Sequence, residues 1–222
     1  ACIDYDRCVS CGQCMVSCPF GAIVDKSQIY QVIRSILEGN DVVAIVAPSF
    51  VGQFGKDVTV PKFLTAMKQL GFADVVEVAA GADICTIEEA HDFMEKVPHE
   101  QRFMATSCCP SWRMMARRLF PAESGNISMT YTPMVYTARL VKRDRPGCKV
   151  VFVGPCAAKK LEAMQDDIRT DVDFVLTYEE LMGIFEAKEI DFSALPDSPD
   201  LDEGTRAGRG FAVAGGVAAA VE

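Results

Sequence analysis

Apolar residues along the chain follow two alternating rhythms. Within residues 25–40 the positions Ile29, Val32, Ile33 and Ile36 fall three and four apart, which predicts a helix stopped by Gly39 and Asn40. Val42–Val46 is an unbroken apolar run ended at Pro48, the pattern of a strand buried on both faces. Beyond it the two periods keep alternating. They predict helix 62–70 closed by Gly71, strand 75–78, and helix 86–96 with Thr86 as cap and Glu88 and Glu89 in its first turn. A short strand 102–105, helix 111–119, helix 133–142, strand 149–153, strand 173–176 and helix 178–187 follow. The acidic segment 191–210, with its Pro and Gly, reads as a loop, and AVAGGVAAAVE begins a helix of small residues. Apolar strands alternating with helices predict an α/β fold: a mostly parallel sheet with helices on both faces. Ligands in such folds bind beyond the carboxyl ends of the strands. Both 106-TSCCPSW-112 and 154-GPC-156 follow a predicted strand, which puts Cys108, Cys109 and Cys156 on one rim.

Residues 1–24 break the pattern. Short extended stretches are expected around Cys8-x-x-Cys11-x-x-Cys14-x-x-x-Cys18-Pro19. Thiolates at this spacing hold a [4Fe–4S] cluster, and the C-x3-C-P ending favours iron–sulfur over zinc. Cys18 either completes this cluster or reaches one whose other ligands precede residue 1. Cys2 falls on a flanking strand and reads as a structural core thiol. The expected organisation is a ferredoxin-like module over 1–24 and a second domain over 25–222.

Composition narrows the chemistry. The chain has 222 residues, 50% of them hydrophobic, enough for one domain plus a small module. A net charge of −9 with no offsetting basic stripe argues against nucleic acid as a main partner. No run of 18 apolar residues is present, so no membrane span is expected. No charged leader precedes an apolar run, so no secretory signal is read. Ten cysteines, clustered rather than spaced as a disulfide framework, then point to metal or redox chemistry in a cytoplasmic protein. The chain lacks an initiator Met and stops inside a predicted helix, which reads as a piece of a longer polypeptide. Cys108 and Cys109 are neighbours, cannot readily pair with each other, and need separate tasks.

TSCCPSW and 153-VGPCAAKKLEA-163 resemble the first two signature motifs of the [FeFe]-hydrogenase family. The match extends to the cysteine run at the start, VAPS at 46–49, GADICTIEE at 81–89 and GRGFAVAGGVAAA near the end. The resemblance implies an active-site domain over 25–222 built to hold an H-cluster, a [4Fe–4S] cube joined to a diiron subcluster. It makes Cys109 and Cys156 ligands of the cube and sets Cys108 to pass a proton to the bridging amine of the diiron unit. Lys159 would donate to an iron-bound cyanide, with Glu162 holding Lys159. Pro48, Ser49, Thr132, Pro133, Met134, Gly154 and Pro155 would line the cofactor. A proton path would run from Cys108 through Glu89 and Ser128 to Asp92, which stands where better-studied members have Glu. Glu88 reads as an ordinary helix acid, and His91 and His99 as surface residues.

Departures from the pattern mark a divergent branch. Gly154 stands where better-studied members have Met, and 132-TPMV-135 where they have Ser-Pro-Gln-Gln. The family's third motif, with two further cysteines, is not found in the chain, and Cys85 and Cys148 are poor substitutes. The chain by itself is therefore expected to be inactive. The activity implied is reversible reduction of protons to dihydrogen. Electrons would arrive through the [4Fe–4S] cluster from ferredoxin or another carrier, or from further iron–sulfur domains upstream. A hydrogen or redox sensor with slow turnover is the first alternative, kept open by Gly154 and Met134. An iron–sulfur scaffold without a diiron site is the second, and the retention of Cys108, Lys159, Glu89 and Ser128 argues against it.

Overall fold

The computed structural model describes residues 2–198 and 204–222. The chain runs through α1 (Gln13–Val16), α2 (Ile29–Leu37), β1 (Val42–Val46), α3 (Val60–Leu70), β2 (Asp74–Glu77) and α4 (Val78–Lys96). It continues through α5 (Pro110–Leu119), α6 (Pro133–Asp144), β3 (Lys149–Gly154), α7 (Ala158–Glu162), β4 (Phe174–Thr177) and α8 (Tyr178–Ala187), and ends with α9 (Arg206–Gly210) and α10 (Gly216–Val221). The strands form one parallel sheet in the order β2-β1-β3-β4.

Both faces of that sheet are covered, as its unbroken apolar strands require. Alternate side chains of a strand point to opposite faces. Val42, Ala44 and Val46 accordingly pack with Val32 of α2, Phe63 and Met67 of α3, and Leu181 and Phe185 of α8. Val43, Ile45, Val150 and Phe152 pack on the other face with Met134, Val135, Ala138 and Val141 of α6. Helix α4 stacks on α6, and α9 and α10 stack on α4. No helix among the described residues is long and apolar enough to cross a membrane.

A half-buried ion cluster ties the 25–28 segment to the sheet. Lys160 Nζ lies 2.5 Å from Asp25 Oδ2 and 2.8 Å from Glu180 Oε1. It also donates to the Lys26 carbonyl at 3.2 Å. Glu180 accepts the Thr177 amide at 2.8 Å in the capping box that starts α8. Gln28 Oε1 accepts the Val175 amide at 2.8 Å, which satisfies a donor on the edge strand β4.

Several local expectations are corrected. Helix 86–96 begins at Val78, and the Thr86 hydroxyl donates to the Ala82 carbonyl at 2.9 Å instead of capping. The run VAAGADIC carries little periodic signal because its small residues serve close helix packing. A Cβ on Gly81 would collide with the Pro133 carbonyl and the Thr137 hydroxyl of α6. Glu88 and Glu89 therefore sit mid-helix, Glu88 exposed and Glu89 buried. Strand 102–105 does not join the sheet; only Ala105 forms a bridge, to Ile127. Arg102 and Phe103 are exposed, which a sheet covered on both faces does not allow. Among the described residues of 1–24 there is one helical turn and no strand, and Cys2 is exposed rather than in a core. The expected loop 191–210 contains α9, while its residues 199–203 lie outside the described residues.

Candidate active site

β1 has β2 on one side and β3 on the other, so the sheet order reverses between β1 and β3. A parallel sheet leaves its ligand crevice at the carboxyl ends flanking such a reversal. A cavity of about 310 Å³ opens there. Ala47, Pro48 and Ser49 enter it after β1, and Phe152, Pro155 and Cys156 from the end of β3. Cys108, Cys109 and Pro110 come from the loop that starts α5, Pro133 and Met134 from the start of α6, and Val78 and Ala82 from α4. Lys159 of α7 and Phe211 and Ala212 after α9 complete the wall.

The expected rim is thus formed, though Cys108 and Cys109 reach it from a loop and not from a sheet strand. Thr132, Gly154 and Glu162, expected around the cofactor, do not line this cavity. Thr132 is the N-cap residue of α6, buried, its hydroxyl without a partner among the described residues. At Gly154 a Cβ would strike the Phe152 ring, so that ring fills the room a side chain would take. Ser49 Oγ and Tyr178 Oη are 2.8 Å apart, and Tyr178 donates to the Ala47 carbonyl at 3.1 Å. Burial pushes the Tyr178 hydroxyl up to about 12.

Lys159 joins the two cysteine motifs. Its ammonium donates to the Cys108 carbonyl at 3.0 Å and to Glu162 Oε2 at 2.6 Å. Glu162 is 1% exposed, so the pair is desolvated and holds the lysine stem in place. Burial raises the Cys108 thiol above its usual range, with Lys159 pulling the other way and Glu89 adding to the rise. The Ala158 amide donates to Cys156 Sγ at 3.4 Å.

Ala82, Cys85 and Glu89 fall three and four apart, which puts them on one face of α4. Glu89 is 1% exposed, with Oε2 lacking a partner among the described residues. Burial holds its carboxyl above the usual range; hydrogen bonds from the Ser128 side chain and the Ser107 amide oppose the shift, and the charge of Asp92 adds to it. Asp92 sits one turn further along, at the surface, 3.0 Å from Lys96. Cys85 is 2% exposed and its thiol is also raised by burial. His91 and His99 are exposed.

Cys8, Cys11, Cys14 and Cys18 lie on the loop and single turn of residues 2–24, all with free thiols. Amides following Cys18, from Ala22 and Phe20 first, hold its thiol below the usual range. Among the described residues no three His, Cys, Asp or Glu side chains converge as a metal site.

Residues 40–222 match the profile described as iron only hydrogenase large subunit, C-terminal domain. The chain belongs to that family. Residues 1–24 match the 4Fe-4S binding domain, which identifies the cysteine run as a [4Fe–4S]-binding module. The NADP-reducing hydrogenase subunit HndD of Solidesulfovibrio fructosivorans is 31% identical over 95% of this chain and 41% of its own length. Iron hydrogenase 1 of Clostridium pasteurianum is 33% identical over 90% of this chain and 39% of its own. This chain therefore spans less than half the length of these two relatives. A solved structure of an apo [FeFe]-hydrogenase HydA1 variant from Chlamydomonas reinhardtii shares the fold, with a TM-score of 0.72 at 24% identity over 83% of this chain and 54% of that one.

Three contributors to this cavity carry no expectation from the sequence. Phe152 falls in an apolar strand run, and only its period-2 relation to Gly154 points toward the site. Phe211 lies in GRGFAVAGGVAAA and lines the wall. Asp83 lies inside GADICTIEE, next to the wall residue Ala82.

Proposed function

We propose that this chain carries the cofactor site of an [FeFe]-hydrogenase, which reduces protons reversibly to dihydrogen. One observation carries the reading: Cys108, Cys109, Cys156 and Lys159 meet at a single apolar cavity at the reversal of the sheet. The donor set fits an iron–sulfur unit joined to a small polar iron complex. Thiolates ligate iron, and the ammonium is a positive donor for a ligand that gathers charge. The apolar remainder keeps water out. When bound, the H-cluster supplies the iron centre at which two protons and two electrons become dihydrogen. On this reading residues 1–24 form the electron-entry module and 25–222 the active-site domain, with ferredoxin or another carrier as donor.

The chain's own residues then have distinct tasks. Cys109 and Cys156 bind the cube. Cys108 stays a thiol because burial disfavours its charge, so it can hand on a proton. Glu89, whose carboxyl is raised by burial, can take up a proton closer to neutral pH than an exposed carboxylate. Ser128 is a neutral hydroxyl beside it, and Asp92 meets solvent. Lys159 orients the cofactor, and Glu162 orients Lys159.

The test uses the chain extended to include the family's third motif, matured with its clusters and diiron unit. Cys108→Ala should keep cluster iron and lose about 100-fold or more of its hydrogen evolution. Cys109→Ala should lose iron from the cube. Equal iron loss in both variants refutes the assignment. One observation favours the sensor reading: Phe152 occupies the place of a side chain at 154, so the cofactor would meet a different wall. Hydrogen binding with turnover below about 1 s⁻¹ would support that reading.

A further inference from the structure

We infer that Asp83 is the positioning residue for the outer wall of the cavity, holding the 204–212 segment so that Phe211 and Ala212 stay in place opposite the cysteines. Asp83 Oδ2 accepts the Thr205 amide at 2.8 Å. Its Oδ1 accepts the Thr205 hydroxyl at 2.5 Å and the Gly208 amide at 3.0 Å. Hydrogen bonds to an ionised carboxylate are short and strong, and this one anchors two residues of the same turn.

The turn is also shaped to lie flat on α4. A Cβ on Gly204 would collide with the Ala79 side chain, and one on Gly208 with the Ala79 carbonyl. Arg209, itself exposed, reaches the buried Glu77 with Nη2 2.7 Å from Oε2, and this ion pair fixes the turn's far end. The Phe211 and Ala212 amides bond back to the Gly208 and Arg209 carbonyls at 3.3 and 3.2 Å. The wall residues are therefore a continuation of the anchored turn. Ala82, the neighbour of Asp83, is itself in the wall. Asp83 thus stitches the α4 side of the cavity to the 211–212 side.

A carboxylate is needed for this. An Asn at 83 keeps one acceptor oxygen but turns an NH2 toward a backbone donor. The consequence for catalysis rests on the reading of the cavity as the cofactor pocket: a loosened wall admits water and releases the cofactor. The anchoring itself does not depend on that reading.

The test uses this chain without added metal. Iodoacetamide labelling of Cys108 is followed by peptide mass, with Cys148, 3% exposed in the sheet core, as internal reference. Asp83→Ala should speed labelling of Cys108 roughly tenfold or more and leave Cys148 unchanged. Asp83→Asn should fall between. Thr205→Val keeps the carboxylate charge but removes both the hydroxyl bond to Asp83 and the cap on the Ala207 and Gly208 amides, and should also speed Cys108. Amide exchange over 204–212 should rise in all of these variants. Unchanged Cys108 labelling in both Asp83→Ala and Thr205→Val overturns the inference, as does an equal rise at Cys148. A wall loosened as expected, in a protein that never retains an iron cofactor when matured, would count against the cofactor reading and not against Asp83.

Discussion

Lys160→Met should cost this chain about 2–3 kcal/mol of stability. The ammonium sits between Asp25 and Glu180 with side-chain exposures of 11%, 20% and 11%. Removing one partner of a fully buried pair costs about 3–5 kcal/mol, because the remaining charge is stranded. The residual exposure lets water relieve part of that here. The relief is unequal: Glu180 keeps the Thr177 amide as a donor, whereas Asp25 Oδ2 has Lys160 as its ion-pair partner. Most of the loss therefore falls on the 25–28 segment, which should show faster amide exchange. Urea unfolding measures the total; with a slope near ~2 kcal/mol/M, the midpoint should drop by about 1 M at unchanged slope. Adding Asp25→Asn and Glu180→Gln to Lys160→Met should recover most of the loss, since no stranded charge remains. A midpoint shift under about 0.2 M, or a triple variant as unstable as the single one, would refute this reasoning.

Glu89→Gln should stabilise the chain at neutral pH and leave it unchanged near pH 4. Burial raises the folded-state pKa, so the folded form holds the proton longer and stability falls as pH rises past the ordinary value of about 4.3. Urea midpoints at pH 4 and pH 8 check this; the same difference at both would count against a buried, raised carboxyl. Gly154→Ala should cost about 1–3 kcal/mol, because the new methyl must displace the Phe152 ring. Thermal unfolding reads that cost, and a neutral result would mean the ring has a second place to go. Gly81→Ala should cost about 2 kcal/mol or more, since the obstacle is the Pro133 carbonyl of α6 and backbone cannot step aside. An unshifted unfolding midpoint would show that α4 and α6 are not held at this separation.

The periodic elements were legible from local sequence. Val42–Val46 and the strand at 149–153 announce themselves because a strand covered on both faces must be apolar at every position. The spacing of Cys8, Cys11, Cys14 and Cys18 is equally local, since a cluster-binding run is read from neighbours along the chain. The pairing of TSCCP with PCAAK was readable as motif, but only Cys156 reaches the rim from the end of a sheet strand; Cys108 and Cys109 arrive from a loop whose place is set by tertiary packing. Tertiary structure decided the rest. The start of α4 at Val78 depends on α6 lying against Gly81, and nothing in VAAGADIC states which helix will press on it. The segment 102–105 looked like a strand but had no covered place in the sheet. Lys160 and Asp83 carry no sign of their partners in the local sequence. Their partners lie 135 and 122 positions away (Asp25 and Thr205), and only the folded chain brings such charges within hydrogen-bond reach. Hydrophobic period is a property of neighbours along the chain, whereas ion pairs, cavity walls and close helix contacts belong to neighbours in space.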